Sequence, residues 1–185
     1  NLLLNTLGGV GVKTHTVTYN AEVNNIARLV EGQENLYPMG GNVIVWKTGY
    51  EFLGYYDNPQ DTGDVVFNAD GTPNADNTIF FETVDGKVIW KFYDSDQDTI
   101  GATLFAHYRA LSYNMTIDAN NLEEFKVEKV EGETKTVVDL DSTKNAYVLT
   151  YGQTYTITAK SSVGYGVPTF ATTIGGQVID LEDID

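Results

Sequence analysis

Val84-Asp85-Gly86-Lys87-Val88-Ile89-Trp90-Lys91-Phe92-Tyr93 is the stretch on which the fold turns. Asp-Gly is the dipeptide that closes two-residue hairpins, because both positions tolerate a positive φ. The run behind it is β-branched and aromatic, as a strand requires. Working outward, Thr14 to Tyr19 alternates hydroxyl and larger side chains, the period-two sign of a half-buried strand. Val43 to Trp46, Phe125 to Val130, Thr136 to Leu140, Tyr147 to Thr150 and Tyr155 to Lys160 read as further strands between polar or glycine turns. Only Ala21 to Val30 has a composition open to a helix, and Asn24-Asn25 argues against a long one. Short strands at this spacing indicate a mainly β protein built as a sandwich, a barrel or grasp-like modules.

Composition sets the limits. The chain has 185 residues, 42% hydrophobic and 20% charged, a globular balance with apolar mass for a core. With 26 acids against 11 bases the formal charge is -15, which repels phosphate backbones and anionic lipid. Nucleic acid is therefore not an expected partner. No apolar run reaches the roughly 20 residues that span a bilayer, so membrane insertion is not expected either. With no cysteine in the chain, disulfides, thiolate nucleophiles and Cys-ligated metal centres are excluded. Beginning on Asn1, it reads as a processed chain, an excised fragment or the ordered part of a longer one.

The expected division is an N-terminal extension, 1–12, then two tandem β modules, 13–111 and 112–185, the second with an acidic tail. The acidic excess is shared, 14 acids against 6 bases up to Leu111 and 12 against 5 from Ser112. Neither half is thus a charged tail.

The first module resembles the Listeria–Bacteroides repeat, the internalin B-type repeat family. The residues that carry the likeness are Val17-Thr18-Tyr19, Gly32, Pro38, the octet Gly49-Tyr50-Glu51-Phe52-Leu53-Gly54-Tyr55-Tyr56 and the closing Ala102-Thr103-Leu104-Phe105-Ala106-His107-Tyr108. Tyr55 and Tyr108 stand where the family more often has Trp, and Asn74 to Asp98 is longer than usual, as an added hairpin would be. The resemblance covers roughly Lys13 to Ala110 and implies a β-grasp-like module of bacterial surface proteins. The second module is similar to a bacterial Ig-like surface domain through Gly152 to Ala159, Gly164-Tyr165 and Gly175-Gly176. That resemblance implies an Ig-like sandwich.

Within the octet, Tyr50, Phe52 and Tyr56 are expected on one strand face, with Gly49 and Gly54 supplying turn or bulge geometry.

Several motifs invite a chemical reading. Gly8-Gly9-Val10-Gly11-Val12-Lys13-Thr14 has the lysine displaced by Val12 and a strand where a phosphate loop needs a helix N-terminus, so it is rejected. Asp94, Asp96 and Asp98 set carboxylates at i, i+2 and i+4, the spacing with which a tight turn wraps calcium. The glycine directly after the third acid and the later glutamate of an EF-hand are missing. A solvated turn at a hairpin end is therefore the plainer reading of the run, and calcium the candidate beside it. Asp57, Asp61, Asp64, Asp70 and Asp76 form a second acidic loop set. His15 and His107 lie in strand patterns, and no nucleophile elbow or spaced carboxylate pair marks an enzyme. Trp46, Trp90 and the 12 tyrosines are the candidates for a sugar-stacking platform, but they sit within strand runs, where core or interface packing is the better reading. Exposure of Trp46 or Trp90 on a flat face would support carbohydrate binding, and burial of both would count against it.

The expectation is a non-enzymatic structural or adhesive protein, extracellular, on a cell surface or an assembled particle. Its expected partners are copies of itself or other surface and particle proteins. A virion or filament subunit is one alternative and a carbohydrate-binding module another, with no cofactor beyond the calcium candidate. Leu2-Leu3-Leu4, if extended, is expected to pair with a neighbour's sheet edge, so that deleting Asn1 to Val12 would abolish assembly and spare the fold.

Overall fold

The computed structural model describes residues 1–29, 43–60, 62–117 and 120–166, together with the strand backbone of 170–174 and 177–181. Gly32 and Pro38 of the repeat pattern, Asp61, Gly175-Gly176 and the acidic end beyond Leu181 lie outside the described residues. The chain divides into two compact units, Asn1–Leu111 and Ser112–Asp185. The described residues are strands, turns and irregular segments, with no helix among them.

In unit 1 the strands are β1 (Leu2–Asn5), β2 (Val10–Gly11), β3 (Thr14–His15), β4 (Val45–Trp46), β5 (Tyr50–Tyr56), β6 (Val65–Asn68), β7 (Phe81–Val84), β8 (Lys87–Trp90) and β9 (Thr103–Ala110). A five-stranded sheet runs β3-β1-β9-β5-β6. Its first and last strands in the chain, β1 and β9, lie side by side and parallel, with Leu4 opposite Leu104; the other pairs are antiparallel. A parallel neighbour needs a long connection. Here nearly a hundred residues separate the pair and fold into the rest of the unit.

Residues 1–12, expected as an extension, are therefore part of unit 1. Alternation along β1 points Leu2 and Leu4 into the core, where both are buried, and leaves Leu3 exposed. An apolar triplet bonded to β3 and β9 on its two sides is not free to pair with a neighbouring molecule, and that expectation is corrected.

Two more sequence expectations change. Val17-Thr18-Tyr19 is not strand; β3 ends at His15, and Val17 reaches the core from an irregular segment. Over its described residues, 21–29, the helix candidate is instead irregular chain. Val23 donates to the Val88 carbonyl, Ile26 to Gly71 and Leu29 to Val43, so its backbone polar groups find partners on three other segments.

The Asp85-Gly86 hairpin is as read, with φ of 51° and 76° at its two turn residues and Phe81 opposite Trp90. The hairpin brings an aromatic cluster to the core. Trp90 is fully buried, with Phe80 and Phe81 rings each 5.5 Å from it and Phe80 stacked on Phe92 at 4.7 Å. Phe67 of β6 meets Phe81 at 5.8 Å, which joins hairpin and sheet.

In β5 the facing differs from simple alternation. Phe52 pairs with Tyr108 but Gly54 pairs with His107, so Leu53 is an inserted bulge residue. One extra residue transfers everything beyond it to the opposite face. Tyr55, not Tyr56, is consequently the buried partner of Phe52, their rings 5.2 Å apart.

Unit 2 contains β10 (Ser112–Met115), β11 (Leu122–Glu131), β12 (Thr134–Val137), β13 (Tyr147–Thr150), β14 (Thr154–Ser161), β15 (Phe170–Ile174) and β16 (Gln177–Leu181). These form a β10-β13 pair, a β12-β11-β14 sheet and a β15-β16 hairpin. Phe125 and Tyr147, 5.5 Å apart, link the first two sheets. Val127 and Ala146 are the buried apolar side chains among the described residues of this unit.

Candidate interaction surface

The chemistry-bearing residues are largely spent on turns. Asp94 Oδ1 accepts the backbone N–H of Asp96 at 3.0 Å and of Gln97 at 3.2 Å, while Asp94 and Thr99 bond through both backbones. Asp98 stands at φ 52° and its carboxylate accepts the Tyr93 hydroxyl. That bond raises the Tyr93 hydroxyl above its usual pKa. Two of the three carboxylates named as calcium ligands, Asp94 and Asp98, are thus engaged with different partners. Among the described residues, no three acidic or histidine side chains converge on one point.

The same turn occurs in unit 2, where sequence reading missed it. Asp141 Oδ1 accepts from Thr143 and Lys144 at 2.9 and 3.1 Å, Asn145 has φ 48°, and Asp141 bridges Ala146. Asp-Ser-x-x followed by Asp or Asn was the available signal in both places. An Asx side chain closes the turn and an Asx residue tolerates the left-handed fifth position. The backbone N–H of Lys144 and then of Thr143 holds the Asp141 carboxyl below its ordinary range. Asp70, bonded to the Thr72 hydroxyl and N–H, is lowered for the same reason.

The glycine-rich segment makes a tie, not a phosphate loop. Tyr108 donates its hydroxyl to the Thr6 carbonyl, Lys13 Nζ bonds Thr6 Oγ1 at 2.6 Å, and Lys47 Nζ lies 4.5 Å above the Tyr108 ring. A Cβ on Gly9 would stand 2.3 Å from the Tyr108 hydroxyl, so only glycine lets that ring in. Burial pushes Tyr108 up to about 12, opposed by a bond from the Gly9 backbone.

The histidines are packed residues. His107 stacks on Tyr56 at 4.0 Å, and its Nε2 is 2.7 Å from the Asn58 carbonyl, which it must donate to. His15 sits edge-on to Phe67 at 5.4 Å, and its Nε2 is buried with no protein partner. Desolvation holds this imidazole below its ordinary 6.5, with a bond to the Asn24 backbone pulling the other way. As pH falls below 6.5 the unfolded chain takes up the proton first. Stability should therefore decline over that window and level off once the folded imidazole is itself protonated. Urea midpoints at pH 7.5 and pH 5 check this: His15→Gln should flatten the acid side of the profile, and an unchanged slope would rule it out.

Trp90 is buried, its indole N–H bonded to the Ile100 carbonyl at 3.0 Å, and Trp46 is half-buried. Among the described residues the exposed aromatics are tyrosines. Tyr19 and Tyr93 meet edge to face at 6.4 Å, beside Asp98 and beside Lys91, which bonds Asn20 Oδ1 and pairs with Glu82, both at 2.8 Å. The sequence does not say which tyrosines meet, because Tyr19 and Tyr93 lie far apart in the chain.

The other feature open to a partner is a sheet edge. β12 is the outer strand of β12-β11-β14, and all four of its residues are exposed, Val137 by 53%. An uncovered edge offers unpaired N–H and C=O groups to another strand. No protein-family model matches the chain, and no curated protein or solved structure is similar to it.

Proposed function

We propose that this is a non-enzymatic structural or adhesive protein, displayed on a cell surface or an assembled particle, that acts through the edges of its β units. One observation that supports the reading is the sheet order of unit 1, in which β1 lies parallel to β9 with β3 beyond β1 and the antiparallel pair β5-β6 beyond β9. The likeness to bacterial surface repeats implies a β-grasp-like module, and a central parallel pair in a mainly antiparallel sheet supports that reading of unit 1. The linked sheets of unit 2 support reading that unit as a sandwich of the Ig-like kind. Fold alone does not choose a function. The exposed edge of β12 adds a means of acting without chemistry on a substrate. The test is immunogold labelling of intact cells or particles that make the protein. Label on the outer surface is expected, and label confined to the interior would refute the reading.

A second reading, carbohydrate binding, is favoured by the exposed Tyr19–Tyr93 pair with Asn20 and Asp98 beside it. Tyrosine faces bind apolar sugar faces while amide and carboxylate groups take hydroxyls. On a glycan array, a signal lost in Tyr93→Ala would establish it.

A further inference from the structure

We infer that unit 1 is a load-bearing clamp, in which tension passing along the chain is carried by the β1–β9 ladder in shear. The inference rests on the reading that the protein is structural, and names the work that one of its units does.

Where the load enters and leaves follows from the strand order. Asn1 stands one residue before β1, and Leu111 one residue after β9. A pull on the two ends of unit 1 is therefore applied directly to the start of β1 and the end of β9. The two strands are neighbours and parallel, with Leu3 opposite Thr103, Leu4 opposite Leu104 and Asn5 opposite Phe105. In a parallel pair, the start of one strand and the end of the other lie at opposite ends of the ladder. The pull then runs along the strands and crosswise to the bonds between them. Bonds loaded in that direction share the force and give way together. A pull that opens a ladder from one end breaks them in turn, each at low force. Had β1 and β9 been antiparallel, both points of load would lie at one end and the pair would unzip.

Three further features oppose sliding. β1 is held on both sides, since Leu3 N–H donates to the Ala102 carbonyl at 2.9 Å and Leu4 N–H to Lys13 of the segment leading into β3 at 2.8 Å. Leu2 and Leu4 are seated in the core, so β1 cannot shift along its axis without withdrawing both. Beyond β1, the Thr6 carbonyl accepts the Tyr108 hydroxyl of β9, and the Leu7 carbonyl accepts Lys47 Nζ at 3.1 Å. Resistance to force is set by the unfolding barrier rather than by equilibrium stability. A unit of ordinary stability can therefore hold load in one direction and yield in another.

The lack of cysteine lets handles be placed on the full chain at chosen residues. Asn1→Cys with Ser112→Cys pulls β1 and β9 in shear. Asn1→Cys with Thr103→Cys pulls the same two strands apart at their common end. All three positions are exposed. In single-molecule force spectroscopy at one pulling speed, the shear tether should rupture at a force several-fold above that of the peel tether. Its rupture should release the whole stretch between the handles in one event, at about 3.6 Å per residue. Equal rupture forces in the two directions overturn the clamp. As a second readout, Tyr108→Phe removes the hydroxyl tie and keeps the ring, and should lower the shear force. A shear force that this variant leaves unchanged counts against the tie as part of the clamp. The measurement needs only the purified chain, so equal forces leave the surface reading to the labelling test, and interior label leaves the clamp to this one.

Discussion

Deleting residues 1–12 is expected to abolish the fold of unit 1, the reverse of what an appended tail would do. β1 carries ladder bonds to β3 on one side and β9 on the other, and Leu2 and Leu4 are buried in the core with Leu104. Removing one such leucine side chain costs about 2–5 kcal/mol. Two of them, with the ladder, match the roughly 5–15 kcal/mol by which ordinary domains are stable. The Thr6 acceptor of the Tyr108 hydroxyl and the Gly9 N–H is lost in the same deletion. Near-UV circular dichroism and the amide spectrum of unit 1 would report the loss. Leu4→Ala gives the graded version, a destabilisation of about 3 kcal/mol. A truncated chain that keeps its cooperative melt would show that β1 is dispensable.

Gly54→Ala should be strongly destabilising. Gly54 has φ 136°, a backbone conformation that L side chains rarely adopt, and an added Cβ would stand 2.6 Å from the Phe67 carbonyl oxygen. The obstacle is backbone of the neighbouring strand, so relief would require β5 and β6 to separate. Strained dihedral and steric conflict together come to about 3 kcal/mol or more, which lowers the melting temperature of a unit this size by more than about 10 °C. Gly86→Ala is the control. Its φ is 76° but nothing lies within 4 Å of the added atom, so it bears only the left-handed penalty of about 1 kcal/mol. Equal effects at the two sites would mean that the close approach at Gly54 is unimportant.

The strand runs and the hairpin turn were readable because they depend on neighbours in the chain. β-branched and aromatic residues favour the extended backbone, and Asp85-Gly86 alone supplies two positive φ values. The all-β class follows from these local preferences. The bulge at Leu53 was not readable from alternation, since an insertion depends on the partner strand. It alone decides that Tyr55 enters the core and Tyr56 does not. The Asp94 run shows the same limit. Its spacing suits both a cation and a capped turn, and what separates them is where each oxygen points after folding.

By itself, the sequence determined the β class, the Asp-Gly hairpin and the exclusion of cysteine chemistry, all properties of composition or of a few adjacent residues. Only the tertiary structure decided that Leu2-Leu3-Leu4 is an inner strand, that Tyr19 and Tyr93 meet, and that β12 is left as an edge. Each of those depends on segments far apart in the chain being brought side by side: β1 lies beside β9 only when nearly a hundred residues between them have folded. No local pattern encodes which of several apolar strands closes that distance.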